Sequence, residues 1–82
     1  MSVEVVAYTD PNCPHCRRLK EYLGRHNVPF ENRDVTADPR ASDELRSMNA
    51  PGVPVVKVGD EVVVGFDRAR LDEVLKAHGV PT

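Results

Sequence analysis

The chain has 82 residues, of which 40% are hydrophobic and 29% are charged, so it can form one compact core but has no room for a second domain. Its 11 basic and 13 acidic residues give a net charge of −2, which supplies no electrostatic reason to expect nucleic acid or an anionic membrane surface as a partner. It has no basic leader and no apolar run of about 20 residues, which predicts a cytoplasmic protein. We expect one domain over residues 1–82 and a monomer.

The first two predicted elements are a strand and a helix. Residues 3–8 are rich in β-branched side chains and predict a strand that can be buried on both faces, with Val3, Val5, Val6 and Tyr8 as its main members. The polar run 9–12 ends it. Because proline is tolerated at the first helical position, a helix begins at Pro14, and it ends at Gly24 or Asn27. Its buried stripe is expected to consist of Cys16, Leu19 and Leu23.

A second strand and a second helix follow. The run from Phe30 to Val35 predicts a strand whose polar residues favour an edge of the sheet. Asp38 and Pro39 supply an N-cap and a first helical residue for the next helix. That helix is closed by Ala50-Pro51-Gly52, and its buried stripe is expected to consist of Ala41, Leu45 and Met48.

The remaining chain predicts a hairpin and a last helix. Two apolar runs, 55–58 and 61–64, flank Gly59-Asp60 and indicate a tight antiparallel turn. Asp67 can then cap a helix that Gly79 and Pro81 stop, with an inner face of Leu71, Val74, Leu75 and His78. The element order is therefore βαβαββα, which is typical of a compact α/β domain.

The segment Cys13-Pro14-His15-Cys16 carries the chemistry. Its spacing places one thiol just before a helix and the second one turn inside it, close enough for a disulfide. The unpaired N–H groups and the positive end of the helix dipole favour the thiolate of Cys13. Cys16, farther into the helix and partly buried, is expected to stay protonated until it attacks a mixed disulfide. We therefore predict Cys13 as nucleophile and Cys16 as resolving thiol, with Pro14 and His15 tuning the thiolate.

Three segments resemble the glutaredoxins and the closely similar NrdH-type redoxins: residues 8–16, Gly52-Val53-Pro54 and Gly65-Phe66-Asp67. The resemblance covers essentially the whole chain. It implies a minimal thioredoxin fold, with a four-stranded mixed sheet flanked by three helices, the first two strands parallel and the hairpin strands antiparallel to them. It also implies a cis Val53–Pro54 bond and a substrate strand paired with the Val53 backbone. The substrate-binding residues it implies are Tyr8, Val53, Pro54, Gly65, Phe66 and Asp67.

The same resemblance implies a thiol–disulfide oxidoreductase that reduces protein disulfides or glutathione mixed disulfides and serves cell redox homeostasis. It implies no tightly bound cofactor, with glutathione as a candidate co-substrate. In the NrdH-type alternative, thioredoxin reductase supplies the electrons and ribonucleotide reductase receives them. Three positions depart from the glutaredoxin pattern. Asp10 stands where many glutaredoxins have a lysine that contacts a glutathione carboxylate, and Gly52 stands where the family has a threonine. Only Gly65-Phe66-Asp67 corresponds to the family's Gly-Gly-x-Asp-Asp segment. These departures disfavour glutathione and leave the electron donor open.

Two other classes of protein also carry a C-x-x-C pair. Small copper and zinc carriers place the pair after a first strand, but they lack the Val-Pro step, and structural zinc would need four ligands where this chain has two cysteines. No metal site is therefore predicted. A module that only binds partners would not need an intact pair. His26 and His78 are interpreted as helix-end side chains, whereas Arg17 and Arg18 either attract electronegative partners or form an ordinary solvated face.

Overall fold

The computed structural model describes residues 4–50 and 52–79. It contains four strands and three helices in the predicted βαβαββα order: β1 (Val5–Thr9), α1 (Pro14–Arg25), β2 (Glu31–Asp34), α2 (Pro39–Ser47), β3 (Val55–Val58), β4 (Glu61–Val64) and α3 (Arg68–Ala77). None of the helices within these ranges is long and apolar enough to cross a lipid bilayer. Three residues named in the predictions above, Val3, Pro51 and Pro81, lie outside the described residues.

The strands form one mixed sheet in the order β2-β1-β3-β4. Strand β1 pairs in parallel with β2 and antiparallel with β3, and β3 pairs antiparallel with β4, as predicted. The central strand β1 is buried along its whole length, and the polar strand β2 lies at an edge. The strand bounds differ slightly from the prediction: β2 is shorter than the run from Phe30 to Val35, and β1 extends one residue past Tyr8. Thr9 belongs to β1 because it pairs with Asp34, and its carbonyl oxygen accepts a hydrogen bond of 3.0 Å from the Val35 N–H.

The two faces of the sheet are covered unequally. Helices α1 and α3 pack on one face over the larger core cluster, in which most of the predicted stripe residues are buried: Leu19, Leu23, Leu71, Val74 and Leu75. His78, predicted on the inner face of α3, is instead partly exposed at the end of that helix, with its Nε2 3.3 Å from a Glu61 carboxylate oxygen. Helix α2 covers the other face over a smaller cluster of Val6, Tyr8 and Val55. In α2 only Ala41 is fully buried, while Leu45 and Met48 are partly buried. The α2 stripe was thus predicted in position but is shallower than expected.

The helix ends follow the local capping rules. The Asp38 carboxylate accepts the Arg40 N–H at 3.0 Å, and the Asp67 carboxylate accepts the Arg70 N–H at 3.1 Å, so both predicted N-caps are confirmed. After α1 the chain leaves the helix through Asn27, whose φ of 54° is left-handed. Asparagine is one of the few non-glycine residues that adopt this conformation readily.

One end of the sheet gathers the segments that the resemblance assigns to the site. Tyr8 pairs with Val55, and Val55 pairs with Val64, so the residues after β1, before β3 and after β4 leave the sheet at the same end. The Val53–Pro54 peptide bond there is cis, as the resemblance implies. The Gly65 N–H donates to the Pro54 carbonyl oxygen at 2.8 Å, which ties the end of β4 to the start of β3.

Candidate active site

Cys13 is the N-cap residue of α1. Its backbone is extended, with φ −98° and ψ 116°. Pro14 follows as the first helical residue, a position at which an N–H would have no partner within the helix, so the N–H that proline lacks is not needed. The Cys13 N–H donates to the Asp10 carbonyl oxygen at 3.1 Å, which turns the chain from β1 into the helix. The Cys13 sulfur therefore lies at the positive end of the helix and is partly exposed.

The backbone of Cys16 contacts the Cys13 sulfur directly. The Cys16 N–H donates to Cys13 Sγ at 3.4 Å, in the same way that a serine or aspartate side chain accepts a bond at other helix starts. An N–H hydrogen bond is stronger when the acceptor carries a negative charge. This contact holds the Cys13 sulfur at the start of α1 with an N–H directed at it.

The second sulfur has a different environment. Cys16 is 0% exposed, and burial is the main reason why its pKa rises to about 11. Its hydrogen bond with Cys13 and the negative charges of Cys13 and Asp10 raise the pKa further, whereas the Asp10 N–H, 3.5 Å from the sulfur, lowers it. Cys16 is thus protonated at neutral pH. Both cysteines are free thiols, so the structure describes the reduced pair.

The loop between β1 and Cys13 is held by Asp10. Its carboxylate accepts the Asn12 N–H at 2.8 Å, and its carbonyl oxygen accepts the Cys13 N–H. Asp10 therefore shapes the turn that carries the Cys13 sulfur and also places a negative charge beside the pair. His15, in the first turn of α1, is exposed and has no hydrogen-bond or ion-pair partner among the described residues.

The Val53–Pro54 step offers free backbone groups. Val53 is partly exposed, and within residues 4–50 and 52–79 its N–H and carbonyl oxygen form no hydrogen bond. Pro54 is buried beneath it. Gly65, bonded to Pro54, has a φ of 79°, a conformation that favours glycine. An unpaired backbone segment at the end of a sheet can accept an extended peptide as an additional strand.

Phe66 and Asp67, which follow Gly65, stabilise the fold. Phe66 packs against the core under α1 and α3, with its ring edge-on to Tyr22 at a centroid distance of 6.0 Å. Asp67 is the N-cap of α3. Both lie at the same end of the sheet as the cysteine pair because they directly follow Gly65 at the end of β4.

Tyr8 does not join this group. Its side chain is 1% exposed and lies on the α2 face of the sheet, opposite α1. Its hydroxyl donates to Glu44 Oε2 at 3.1 Å, and Arg33 lies over its ring while forming ion pairs with Glu44 and Glu31. The predicted substrate contact of Tyr8 is therefore corrected: this side chain fastens α2 to the sheet.

The structure also brings together residues that the sequence did not indicate as a site. Tyr22, Arg25 and Arg68 meet Phe66 in a shallow cleft that adjoins the one containing Cys13. Only Arg17 and Arg18 had been considered from the sequence, because the contact between α1 and the start of α3 depends on the fold. Within the described ranges, no group of three or more His, Cys, Asp and Glu side chains is arranged to hold a metal ion.

Comparison with known proteins places this geometry in context. The family model for glutaredoxin matches residues 5–63. An uncharacterised glutaredoxin-like 8.6 kDa protein in the rubredoxin operon of Clostridium pasteurianum is 36% identical over 70 residues, which cover 84% of this chain and 93% of that protein. The crystal structure of the thioredoxin-like protein BC3987 is 36% identical and superposes with a TM-score of 0.83, covering 88% of this chain and 100% of that chain.

A third similar protein is NrdH-redoxin from Escherichia coli, described as a glutaredoxin-like protein with a thioredoxin-like activity profile. It is 28% identical to this chain and superposes with a TM-score of 0.78, covering 95% of this chain and 99% of that chain.

Proposed function

This chain belongs to the glutaredoxin family of thioredoxin-fold redox proteins, and from that premise we propose that it reduces disulfides of other proteins by dithiol exchange through Cys13 and Cys16. The observation that carries the proposal is the unequal environment of the two sulfurs. Cys13 is partly exposed and accepts an N–H at the start of α1, while Cys16 is buried and protonated. One sulfur is thus suited to attack a partner and the other to complete the exchange.

The exchange proceeds in two balanced steps. The Cys13 thiolate attacks one sulfur of the substrate disulfide, the substrate S–S bond breaks, and the departing sulfur takes up a proton. Cys16 then loses its proton and attacks Cys13 Sγ in the mixed disulfide, which releases the second substrate thiol and leaves a Cys13–Cys16 disulfide. Two electrons pass from the cysteine pair to the substrate, and an external thiol or reductase must restore the dithiol.

Substrate positioning is proposed at the end of the sheet beside the pair. The free N–H and carbonyl oxygen of Val53 can bond to an extended segment of the substrate, next to the buried Pro54. Gly65, Phe66 and Asp67 follow β4 at the same end and border that segment. Pro14 and the exposed His15 lie beside Cys13, where they would tune the stability of its thiolate.

The electron donor distinguishes two forms of this function. An NrdH-type protein, reduced by thioredoxin reductase and delivering electrons to ribonucleotide reductase, is the second candidate. It is favoured by the Asp10 carboxylate beside the pair, which repels the carboxylates of glutathione, and by similarity to an NrdH-redoxin with a thioredoxin-like activity profile. Supplying the oxidised protein with glutathione and its reductase, or separately with thioredoxin reductase, distinguishes the two forms. Both forms are expected to act in the cytoplasm.

The roles of the two cysteines are tested by single substitutions. Cys13→Ser should abolish reduction of a protein disulfide because the attacking sulfur is gone. Cys16→Ser should still attack and should accumulate mixed disulfides, visible by mass spectrometry as adducts that dithiothreitol removes. More than a trace of activity in Cys13→Ser, or adducts on Cys16 in place of Cys13, would show that the assignment is wrong.

A further inference from the structure

A groove bordered by arginines leads away from Cys13 along α1. It consists of two adjoining clefts that share Arg18 and Glu21. Arg17 lies in the cleft that contains Cys13, and the other cleft runs between α1 and the start of α3. We call this continuous surface the arginine groove and define it by Arg17, Arg18, Tyr22, Arg25, Phe66 and Arg68.

All but one of the arginines outside this groove form ion pairs, and the exception among the described residues is Arg40 on α2. Arg33, Arg46 and Arg70 each form an ion pair with a carboxylate. The four groove arginines form no ion pair with any residue in 4–50 or 52–79. Glu21 is the only acidic residue among the described residues that line the two clefts. Because the whole chain has a net charge of −2, this excess of positive charge is a local property of the surface.

The floor of the outer cleft is aromatic. The rings of Tyr22 and Phe66 are 6.0 Å apart in an edge-on arrangement, and the His26 ring is 4.5 Å from Tyr22. Both Tyr22 and Phe66 are partly exposed. Burial and the neighbouring Asp72 raise the pKa of Tyr22, so the Tyr22 hydroxyl keeps its proton at neutral pH. An aromatic floor with a cationic rim suits a segment that carries carboxylates on short apolar stems, as glutamate and aspartate do.

The groove's position identifies its occupant. Since it starts at the reactive sulfur, a molecule lying in it has its disulfide within reach of Cys13. We infer that the arginine groove docks an acidic segment of the disulfide-bearing protein, with carboxylates of that segment on Arg18, Arg25 and Arg68. This inference rests on the proposed dithiol exchange and adds the charge of the preferred substrate to it.

Helix geometry sets the length of the segment. Cys13 and Arg25 are twelve positions apart along α1, which corresponds to about 18 Å at 1.5 Å per residue. An extended peptide covers that distance in about five or six residues. The acidic side chains are therefore expected within about six positions of the substrate cysteine.

The test uses two synthetic peptides with the same intramolecular disulfide, one flanked by six residues that include three glutamates and one with glutamines in their place. The quantity measured is the ratio of kcat/KM for the acidic peptide to that for its neutral counterpart. Surface ion pairs typically change an equilibrium by about 1.5- to 5-fold each. Arg25→Gln/Arg68→Gln should therefore lower the ratio by about 2- to 25-fold, and added salt should lower the ratio of the unmodified protein.

A matched variant separates docking from overall charge. Arg40→Gln/Arg46→Gln removes the same two charges from exposed positions on α2, across the sheet from the groove, and should leave the ratio unchanged. The inference is overturned if the Arg25→Gln/Arg68→Gln protein keeps the original ratio, or if the α2 variant lowers it equally. In both cases the proposed function stands, because both peptides are still reduced. Failure of the unmodified protein to reduce either peptide would instead refute the proposed function, and the inference with it.

Discussion

The buried thiol of Cys16 predicts a loss of stability at alkaline pH. In the unfolded chain this thiol loses its proton near pH 9.0, whereas in the folded protein it keeps the proton to about pH 11. Above pH 9 the unfolded state therefore binds fewer protons, and the free energy of unfolding falls as the pH rises. The stabilisation is complete below pH 9 and is lost toward pH 11. A difference of one bound proton between the two states changes the free energy of unfolding by about 1.4 kcal/mol per pH unit, so this free energy should fall by about 1 kcal/mol by pH 10.

The assay compares urea unfolding of the unmodified protein and of Cys16→Ala at pH 7, 9 and 10, under a reductant that keeps both thiols free. Burial raises the pKa of Tyr8 and of Tyr22 as well, but both tyrosines are present in the two proteins, so their contribution cancels in the comparison. Cys16→Ala should be less stable at every pH because a cavity replaces the sulfur. It should lose less stability than the unmodified protein between pH 7 and pH 10.

Parallel loss of stability in the two proteins would refute this reasoning. It would mean that the Cys16 thiol titrates alike in the folded and unfolded states, so that burial of the sulfur has no consequence for its ionisation. The assignment of Cys16 as the thiol that stays protonated until the second step would then lose its physical basis. Which cysteine attacks the substrate first could still be determined from Cys13→Ser and Cys16→Ser.

Two further predictions concern Asp10 and Asp67. Asp10→Asn keeps an oxygen for the Asn12 N–H but removes the charge, so kcat/KM for a glutathione mixed disulfide should rise by up to about fivefold relative to that for a small neutral disulfide. Asp10→Lys should raise this ratio further, and it should lower the stability of the protein because the hydrogen bond from the Asn12 N–H is lost. An unchanged ratio in both variants would contradict this expectation. Asp67→Ala should lower the free energy of unfolding in urea by about 1 kcal/mol because the Arg70 N–H loses its acceptor, and Asp67→Asn, which retains one, should lose less. Equal stabilities of these two variants would argue against the cap.

The sequence predicted the fold well because its strongest signals are local. A proline, an aspartate or both mark the start of each helix, and the Gly59-Asp60 turn between two valine-rich runs leaves only an antiparallel hairpin. The cysteine spacing likewise determines which thiol lies at the helix start and which lies inside the helix. The parallel pairing of β1 with β2 and the cis bond came from the family resemblance, since neither leaves a mark in the periodicity.

The features that escaped prediction depend on tertiary contacts. Strand β1 is buried on both faces, so alternation could not show that Tyr8 points toward α2, away from α1. The arginine groove needs α3 to return beside α1, which places Arg68 near residues that are more than forty positions earlier in the chain. The high pKa of Cys16 was expected in direction, but its main cause, complete burial, is a property of the packed structure.

The unequal covering of the two sheet faces has a consequence for local unfolding of the protein. Helix α2 has one fully buried side chain, and its other contacts with the sheet come from the partly buried Leu45 and from Glu44, whereas α1 and α3 share the larger apolar cluster. Elements with few buried apolar contacts separate at a lower free energy than the rest of a structure. We therefore expect helix α2 to unfold locally first and its amide protons to exchange with solvent sooner than those of α1. Because both cysteines belong to the start of α1, such an opening leaves the thiol pair intact, so a partial unfolding of this protein is compatible with continued redox activity.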